Sequence, residues 1–439
     1  MLAWGTHCYD SVSLGFILLH FKHSNSKTEP FHRSMKFQTN TLAIANLYAL
    51  LSAINASVAP IVISLGGLAG AFLLADDKSL ATLPVSGFNV GVALMAGPAS
   101  LLMYRIGRQR GFMAGSLLGF AGIILAGVAI IEHSFIGLCI GLLIAGGANS
   151  FVQQYRFAAS DYVDTPLKSQ AISRVLIGGI AAAIVGPQIV MHNKDLLYPT
   201  PFAGAFLSGA GLFLIGLFVM TLLPHQIPEK QKIQRSDGRT KKDFIKDPTF
   251  VTAVLCGTSS YALMAFVMTA APLAMVGCGF DVSEAALGIQ WHVLAMFVPS
   301  LFTGKLISRF GQRKIIAAGL IILMMCSAVA LAGITLEHFY LALILLGLGW
   351  NFGFIGSTAL LTETYAAHEK HTAQGLNDSI LFGSVAIGSL GSGVAYELMG
   401  WELMNWIAFP IGLICLSALF FLKQQQPSEL NPATSGTDA

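Results

Sequence analysis

Apolar residues gather in blocks of about twenty along the chain, separated by short polar turns, from residue 42 to residue 422. A helix of that length crosses a hydrocarbon core of about 30 Å at 1.5 Å per residue. Twelve blocks are read, at 42–64, 80–104, 112–131, 134–158, 169–191, 202–223, 250–277, 285–307, 315–335, 338–361, 375–396 and 402–422. Unpaired backbone groups are not tolerated in lipid, so these blocks are expected as helices and not as strands. The longest polar stretch between blocks, HQIPEKQKIQRSDGRTKKDFIKDP at 225–248, follows the sixth and divides the chain into halves. The organisation expected is a leader over 1–41, a six-helix bundle over 42–223, a linker over 224–249, a second bundle over 250–422 and a disordered polar tail over 423–439. Within the leader, SVSLGFILLHF at 11–21 is too short to span and no small-residue cleavage site follows it, which speaks against a signal peptide. Met35-Lys36, just ahead of the first block, would serve as a start and would make the leader an upstream misreading.

Composition agrees with the pattern. Of 439 residues 11% are charged and 54% hydrophobic, with a mean hydropathy of +0.69; soluble domains carry about 25% charged residues. Such a chain needs lipid as solvent, and the fold class expected is all-α integral membrane. Six scattered cysteines form no CxxC pair, so neither a disulfide frame nor a metal site is indicated. There is no GxxxxGK[ST] loop and no soluble domain to carry a nucleotide, so no cofactor and no nucleic-acid partner are expected. The HEKH cluster at 368–371 lacks the HExxH spacing and reads as a solvated loop, which weakens the case for a membrane enzyme.

Charge placement gives an orientation. With both termini in the cytoplasm, the outer turns hold only Lys78 and Lys194 of 25 basic residues, against the acids Asp76, Asp77, Glu132, Asp195, Asp281, Glu284, Glu337, Glu397 and Glu402. Basic turns stay on the cytoplasmic side. Arg105, Arg108 and Arg110 then lie in the cytoplasmic turn between blocks two and three, and Arg309, Arg313 and Lys314 in that between eight and nine. These two turns are related: Gly107 and Gly311 are 204 residues apart, and the same offset joins Leu83 to Leu287, Gln170 to Gln374 and Gly179 to Gly383. Glu132 and His133 recur one residue late as Glu337 and His338. An internal repeat of this size indicates two related halves, a construction common among transport proteins.

The turns read SLLMYRIGRQR (100–110) and GKLISRFGQRK (304–314). They resemble the signature of the major facilitator superfamily, Gly-x-Leu-Ala-Asp-Arg-x-Gly-Arg-Arg, and its degenerate second copy. Arg105, Gly107 and Arg108 match in the first, and Gly304, Arg309 and Gly311 in the second. The signature aspartate, which in the family belongs to a charge relay holding the outward-facing state, is Tyr104 in one copy and Ser308 in the other, and the first glycine is Ser100. That lock is therefore absent or moved. The resemblance runs from about residue 36 to 423 and implies twelve transmembrane helices in two pseudo-symmetric six-helix bundles. GGIAAAIVGPQIV at 178–190 is similar to part of the glycine-proline motif of proton-driven exporters in the family, with Gln188 and Ile189 where a glycine pair is usual. Close packing and a kink explain the same residues, and packing alone explains the Gly111, Gly115, Gly119 stripe.

Charges inside spans cost several kcal/mol unless paired or wetted, so each carries information. Arg156 closes the fourth block, Arg174 lies in the fifth, Glu363 ends the tenth and Asp378 lies in the eleventh, 204 residues after Arg174. Together with Arg105, Arg108 and Arg309 they are candidates for a cytoplasmic gate of ion pairs, with Glu363 expected to face Arg105 or Arg174. The alternatives are arginines that snorkel and anchor their helices, and Arg174 as counter-ion of an anionic solute. His292, in LGIQWHVLAMFVPS, is the candidate for proton coupling, because imidazole changes charge near physiological pH; a neutral packing histidine is the other reading. Helices one, four, seven and ten line the cavity in this family, which makes Asn55, Asn149, Gln153, Tyr261, Trp350 and Asn351 the implied solute contacts. Each is also an ordinary interhelical hydrogen bond, worth about 1 kcal/mol.

The function expected is secondary active transport of a small solute by alternating access, coupled to protons, by a single-chain unit in the cytoplasmic (inner) membrane. A multidrug exporter of the same fold, a sensor that binds without transporting and a polytopic enzyme are the alternatives. The lack of an acid deep in helices one to four favours a metabolite over a cationic drug.

Overall fold

The apolar blocks fold as helices, and single residues decide where these bend and end. The structure, a computed structural model, describes residues 30–74, 77–163, 167–224 and 238–422. The leader through residue 29, positions 225–237 of the linker and the tail from 423 lie outside the described residues. Residues 30–40, the described part of a separate unit Met1–Asn40, are helical; Thr41–Ala439 forms the other unit, which holds the membrane helices.

The membrane helices in chain order are α1 (Ala43–Leu73), α2 (Leu83–Ile106), α3 (Arg108–Ile131), α4 (Phe135–Asp161), α5 (Gln170–Asn193), α6 (Ala203–Met220) and α7 (Pro248–Gly277). Then come α8, a pair Val282–Phe297 and Ser300–Phe310 bent by 42°, α9 (Gln312–Ala332), α10 (Leu336–Thr362), α11 (Thr372–Asn405) and α12 (Ala408–Phe421). Ten of these are long and apolar enough to cross a bilayer, eleven with the bent pair, and α12 is shorter. Both departures from the twelve expected spans have local causes. Pro299, which has no N–H for the helix ladder, caps the second piece of α8. Gly400 interrupts α11 at φ 72° and ψ 175°, a left-handed φ that only glycine adopts freely. The twelfth block therefore begins at Trp401 and turns at 406–407 before α12.

Gly107 and Gly311 are each the one residue between two antiparallel helices, with φ 89°, ψ 157° and φ 84°, ψ 153°. The repeated RxG pattern is thus a one-residue turn that a side chain would strain.

The described helices pack as two bundles. Within the first, α3 packs on α4 and α6, and α2 on α4; within the second, α9 packs on α10 and α12, and α8 on α10. Between them, α2 meets α11, α5 meets α8, and α1 meets α7. Adding six to each number in the first bundle gives the second, so the architecture is all-α and pseudo-two-fold.

The repeat has a finer register. A Cβ on Gly146 of α4 would stand 1.9 Å from the carbonyl oxygen of Phe88, and one on Gly347 of α10 would stand 2.4 Å from that of His292. Phe88 and His292 differ by 204 positions, but Gly146 and Gly347 differ by 201, as do the helix N-caps Ser134 and Thr335. The equivalence of Glu132 with Glu337 and of His133 with His338 does not survive this. Glu132 caps the end of α3, whereas Glu337 lies in the first turn of α10.

Candidate functional site

Because consecutive spans run antiparallel, the turns at Gly107 and Gly311, with the 4–5 and 10–11 turns and the linker, share one end of the molecule, here the basic end. At the opposite end, polar contacts cross between bundles. Ser389 of α11 is their hub: Ser86 Oγ and Asn89 Nδ2 of α2 each donate to its hydroxyl at 3.1 Å, and Thr269 Oγ1 of α7 lies 3.2 Å from it. Gln188 Nε2 of α5 donates to Gln290 Oε1 of α8 at 3.1 Å, and Lys194 Nζ stands 3.1 Å from Asp281 Oδ1. Backbone and side-chain hydrogen bonds from Ser283, followed by Lys194, hold the Asp281 carboxyl down at about 2.

At the basic end, four contacts among the described residues stay within one bundle each. Arg108 pairs with Asp161. Arg174 Nη1 donates to Asn46 Oδ1 at 2.7 Å, and Gln312 donates to Glu363. Arg239, at the end of the linker, grips Glu369 in the 10–11 turn with Nε to Oε1 and Nη2 to Oε2, both at 3.0 Å. That guanidinium, then the backbone N–H groups of Arg239 and Ala366, hold the Glu369 carboxyl down at about 2.

Toward the basic end, side chains near the interface between the bundles are exposed. Gln153 and Arg156 of α4 and Asp378 of α11 are exposed, and Tyr261 of α7 and Phe354 of α10 are partly so. Arg156 is within electrostatic reach of both Asp378 and Tyr261, across the interface. No ion pair within 4 Å joins Arg156 to an acid among the described residues.

Each side of this interface has a local cause. The α4 helix pauses after Val152, turns at Gln153 and Gln154, and resumes at Tyr155. Asn149, Gln153 and Arg156 follow i, i+4, i+7 spacing and so fall on one face. On the other side Trp350 and Phe354, at i and i+4 of α10, stack with ring centroids 5.2 Å apart and planes at 18°. Tyr261 meets both edge-on, at 5.3 Å and 5.1 Å. The 201-residue register makes Asn149 the counterpart of Trp350 and Gln153 that of Phe354.

Of the residues singled out in the sequence, Arg156, Tyr261, Trp350 and Asp378 come together here, with Gln153 and Asn149 on the α4 face that carries Arg156. Asn55 and Asn351 do not. Asn55 is buried and donates to Tyr155 Oη at 2.8 Å. Asn351 is buried, donates to Met296 O at 2.7 Å and accepts from Thr303 Oγ1 at 2.6 Å. These amides hold helices within a bundle. Glu363 faces Gln312 in place of Arg105 or Arg174, since the second bundle's own turn reaches it first. Arg105 and Arg309 are exposed, the latter over the Phe310 ring at 5.3 Å. His292 is fully buried between α8 and α10, its Nδ1 2.9 Å from Leu343 O, and its counterpart by the offset is Phe88. Among the described residues its Nε2 has no partner. Phe354 was not legible as a site residue, because phenylalanine is ordinary filler in a span; its position one turn below Trp350 was the available signal.

The family described as the Major Facilitator Superfamily matches residues 41–291 and 253–438. A riboflavin transporter of Brucella anthropi is 48% identical over 376 residues, covering 85% of this chain and 94% of that protein. An uncharacterized MFS-type transporter of Bacillus subtilis is 31% identical over 344 residues, covering 73% of this chain and 78% of that protein. In structure, the chain resembles a variant of the nucleoside transporter NupG with a TM-score of 0.71 at 15% identity, covering 87% of this chain and 99% of that one. At such low identity this likeness speaks to fold alone. None of these relatives supports a drug exporter.

Proposed function

The chain belongs to the major facilitator superfamily, and from that premise we propose that it carries riboflavin, or a flavin with the same ring system, by rocking its two bundles about the cavity between α4, α7, α10 and α11. It is a multi-pass membrane transporter of a small solute, not an enzyme. The observation that carries the flavin reading is the 48% identity to a riboflavin transporter over nearly the whole length of both chains. The cavity suits it: a flat tricyclic ring needs an aromatic wall, which Tyr261, Trp350 and Phe354 supply, and a polyol needs amides, which Asn149 and Gln153 supply.

The basic end faces the cytoplasm in this reading, supported by the scarcity of lysine and arginine at the other end. Both termini then lie inside, the membrane is the cytoplasmic one, and the cavity opens inward. Closing it brings Arg156 toward Asp378 as a gate between bundles, while Arg108 with Asp161 and Arg174 with Asn46 stiffen the first bundle. The chain works as a single unit, driven by protons. Of the two candidates deep within spans, Asp378 and His292, Asp378 is exposed and His292 is fully buried.

Purified protein in liposomes tests the reading. Saturable uptake of labelled riboflavin, accelerated by a proton gradient, is expected. Uptake no faster than in protein-free vesicles would remove the flavin assignment; uptake indifferent to the gradient would remove the coupling.

A further inference from the structure

Between the bundles stand two opposite charges whose hydrogen-bonding capacity is largely unused among the described residues. Arg156 carries five N–H donors, and no hydrogen bond from them to the protein is found among the described residues; its guanidinium only lies over the Phe157 ring, 4.8 Å from the centroid. Asp378 accepts one bond, from the adjacent Asn377 Nδ2 at 3.0 Å. The two come from different bundles and do not touch. A charge within a span is costly unless it is paired or wetted; both groups are exposed, so their donors and acceptors are open to a solute that replaces the water. Beside them stands the indole of Trp350, more than nine-tenths buried, whose Nε1 has no partner among the described residues.

The imide edge of a flavin ring presents C2=O, N3–H and C4=O in a row: acceptor, donor, acceptor. A guanidinium satisfies a carbonyl and a carboxylate satisfies the N–H, so an arginine and an aspartate together match that edge where two arginines or two acids would not. Resting on the flavin reading above, we propose that Arg156 and Asp378 bind the imide edge of the flavin, Asp378 accepting from N3–H and Arg156 donating to a ring carbonyl, while the ring stacks on Tyr261, Trp350 and Phe354. Each bundle then supplies one half of the edge recognition, and solute binding draws the halves together at the basic end.

The test is a titration of the purified full-length protein with riboflavin and with 3-methylriboflavin, read by quenching of flavin fluorescence. The methyl group removes the N3–H donor and leaves the ring face intact. A hydrogen bond to a charged group is worth roughly tenfold or more in affinity, so the wild type should prefer riboflavin by at least about tenfold. Asp378→Ala should bind the two ligands within about twofold of each other, and Arg156→Gln should weaken both by about tenfold while keeping the preference. Because the wild type's preference is itself a readout, a poorly folding variant does not remove the test. Riboflavin transport with equal affinity for the two ligands, or a preference retained in Asp378→Ala, overturns the edge assignment and leaves the transport reading standing. Absence of riboflavin binding by the wild type overturns both.

Discussion

The fourth and tenth helices hold equivalent places in the two bundles and present opposite chemistry to the space between them. Each is pinned to its neighbour by the same device, a glycine against a carbonyl, at Gly146 over Phe88 and at Gly347 over His292. One and two turns further along, α4 shows Asn149 and Gln153 where α10 shows Trp350 and Phe354. The packing faces repeat and the cavity faces do not. A scaffold that keeps its symmetry in packing and drops it in the cavity suits a solute with an apolar face and a polar edge.

The largest expected effect tests the register on which that comparison rests. Gly146→Ala and Gly347→Ala each force a methyl into backbone, at 1.9 Å and 2.4 Å, and overpacking of this kind costs about 1–3 kcal/mol even where the surroundings give. Both variants should lose most of their monodisperse protein on size exclusion and unfold at lower temperature. Gly147→Ala is the control, because the nearest atom to its Cβ is Met95 Cβ at 3.6 Å. If Gly146→Ala and Gly147→Ala behave alike, the correspondence between α4 and α10 is wrong.

A smaller effect should separate the two walls. Ring stacking on an aromatic side chain is worth about 1–3 kcal/mol by alanine substitution, so Tyr261→Ala should weaken riboflavin binding by about tenfold or more. Gln153→Ala removes one neutral, wetted hydrogen bond and should cost no more than about fivefold. Fluorescence titration ranks them. The reverse order would put the ring against the amide wall.

Much of this was legible from the sequence, for reasons that also explain the rest. Lipid forces long apolar runs into helices, so most spans could be read to within a few residues, although the first and eleventh each run nine residues further than read and the twelfth starts six later, and Gly107 and Gly311 marked the repeat because a one-residue turn at positive φ admits little else. The charged residues proposed to face the solute, Arg156 and Asp378, stood out for the same reason, since a span rarely carries a charge without use. Asn351 misled because composition gives no direction: it follows Trp350 by one residue, about 100° around the helix, so both could not face the cavity. The three-residue shift between α4 and α10 was hidden because a matching Glu-His pair sits in both turns; only the caps Ser134 and Thr335 show that the helices start at different points relative to it.

The bundles also differ in how their basic ends are tied. The first uses Arg108 with Asp161, the second Arg239 with Glu369, whose carboxyl is held at about 2. An ordinary glutamate titrates near 4.3. A depressed carboxyl stabilises the fold fully above its unfolded value and loses that contribution as pH falls through the folded one. The Glu369 contribution should thus be constant from pH 5 upward and fade between about 4.5 and 2. Glu369→Gln should unfold at lower temperature than the wild type at pH 7, and the gap should narrow across that acid window. A gap that persists unchanged at pH 2.5 would show that the clasp works through shape and not charge. Since Asp281 is held equally low, neither pair can supply a pH dependence of transport between 5 and 8.

The smallest effect is expected at His292, and it bears on the comparison from the packing side. Its counterpart Phe88 is a buried packing residue in the same helix contact, and His292 itself is closed to solvent, with Nδ1 at 2.9 Å from Leu343 O. A glutamine can keep a donor near that carbonyl, so His292→Gln should bind riboflavin as the wild type does and respond to a proton gradient in the same way, with a modest drop in unfolding temperature. A variant that binds normally but ignores the gradient would reverse this. The bare Nε2 would then be a proton site reached during the transport cycle, and the departure from symmetry that serves the cavity would extend into the packed face of the second bundle.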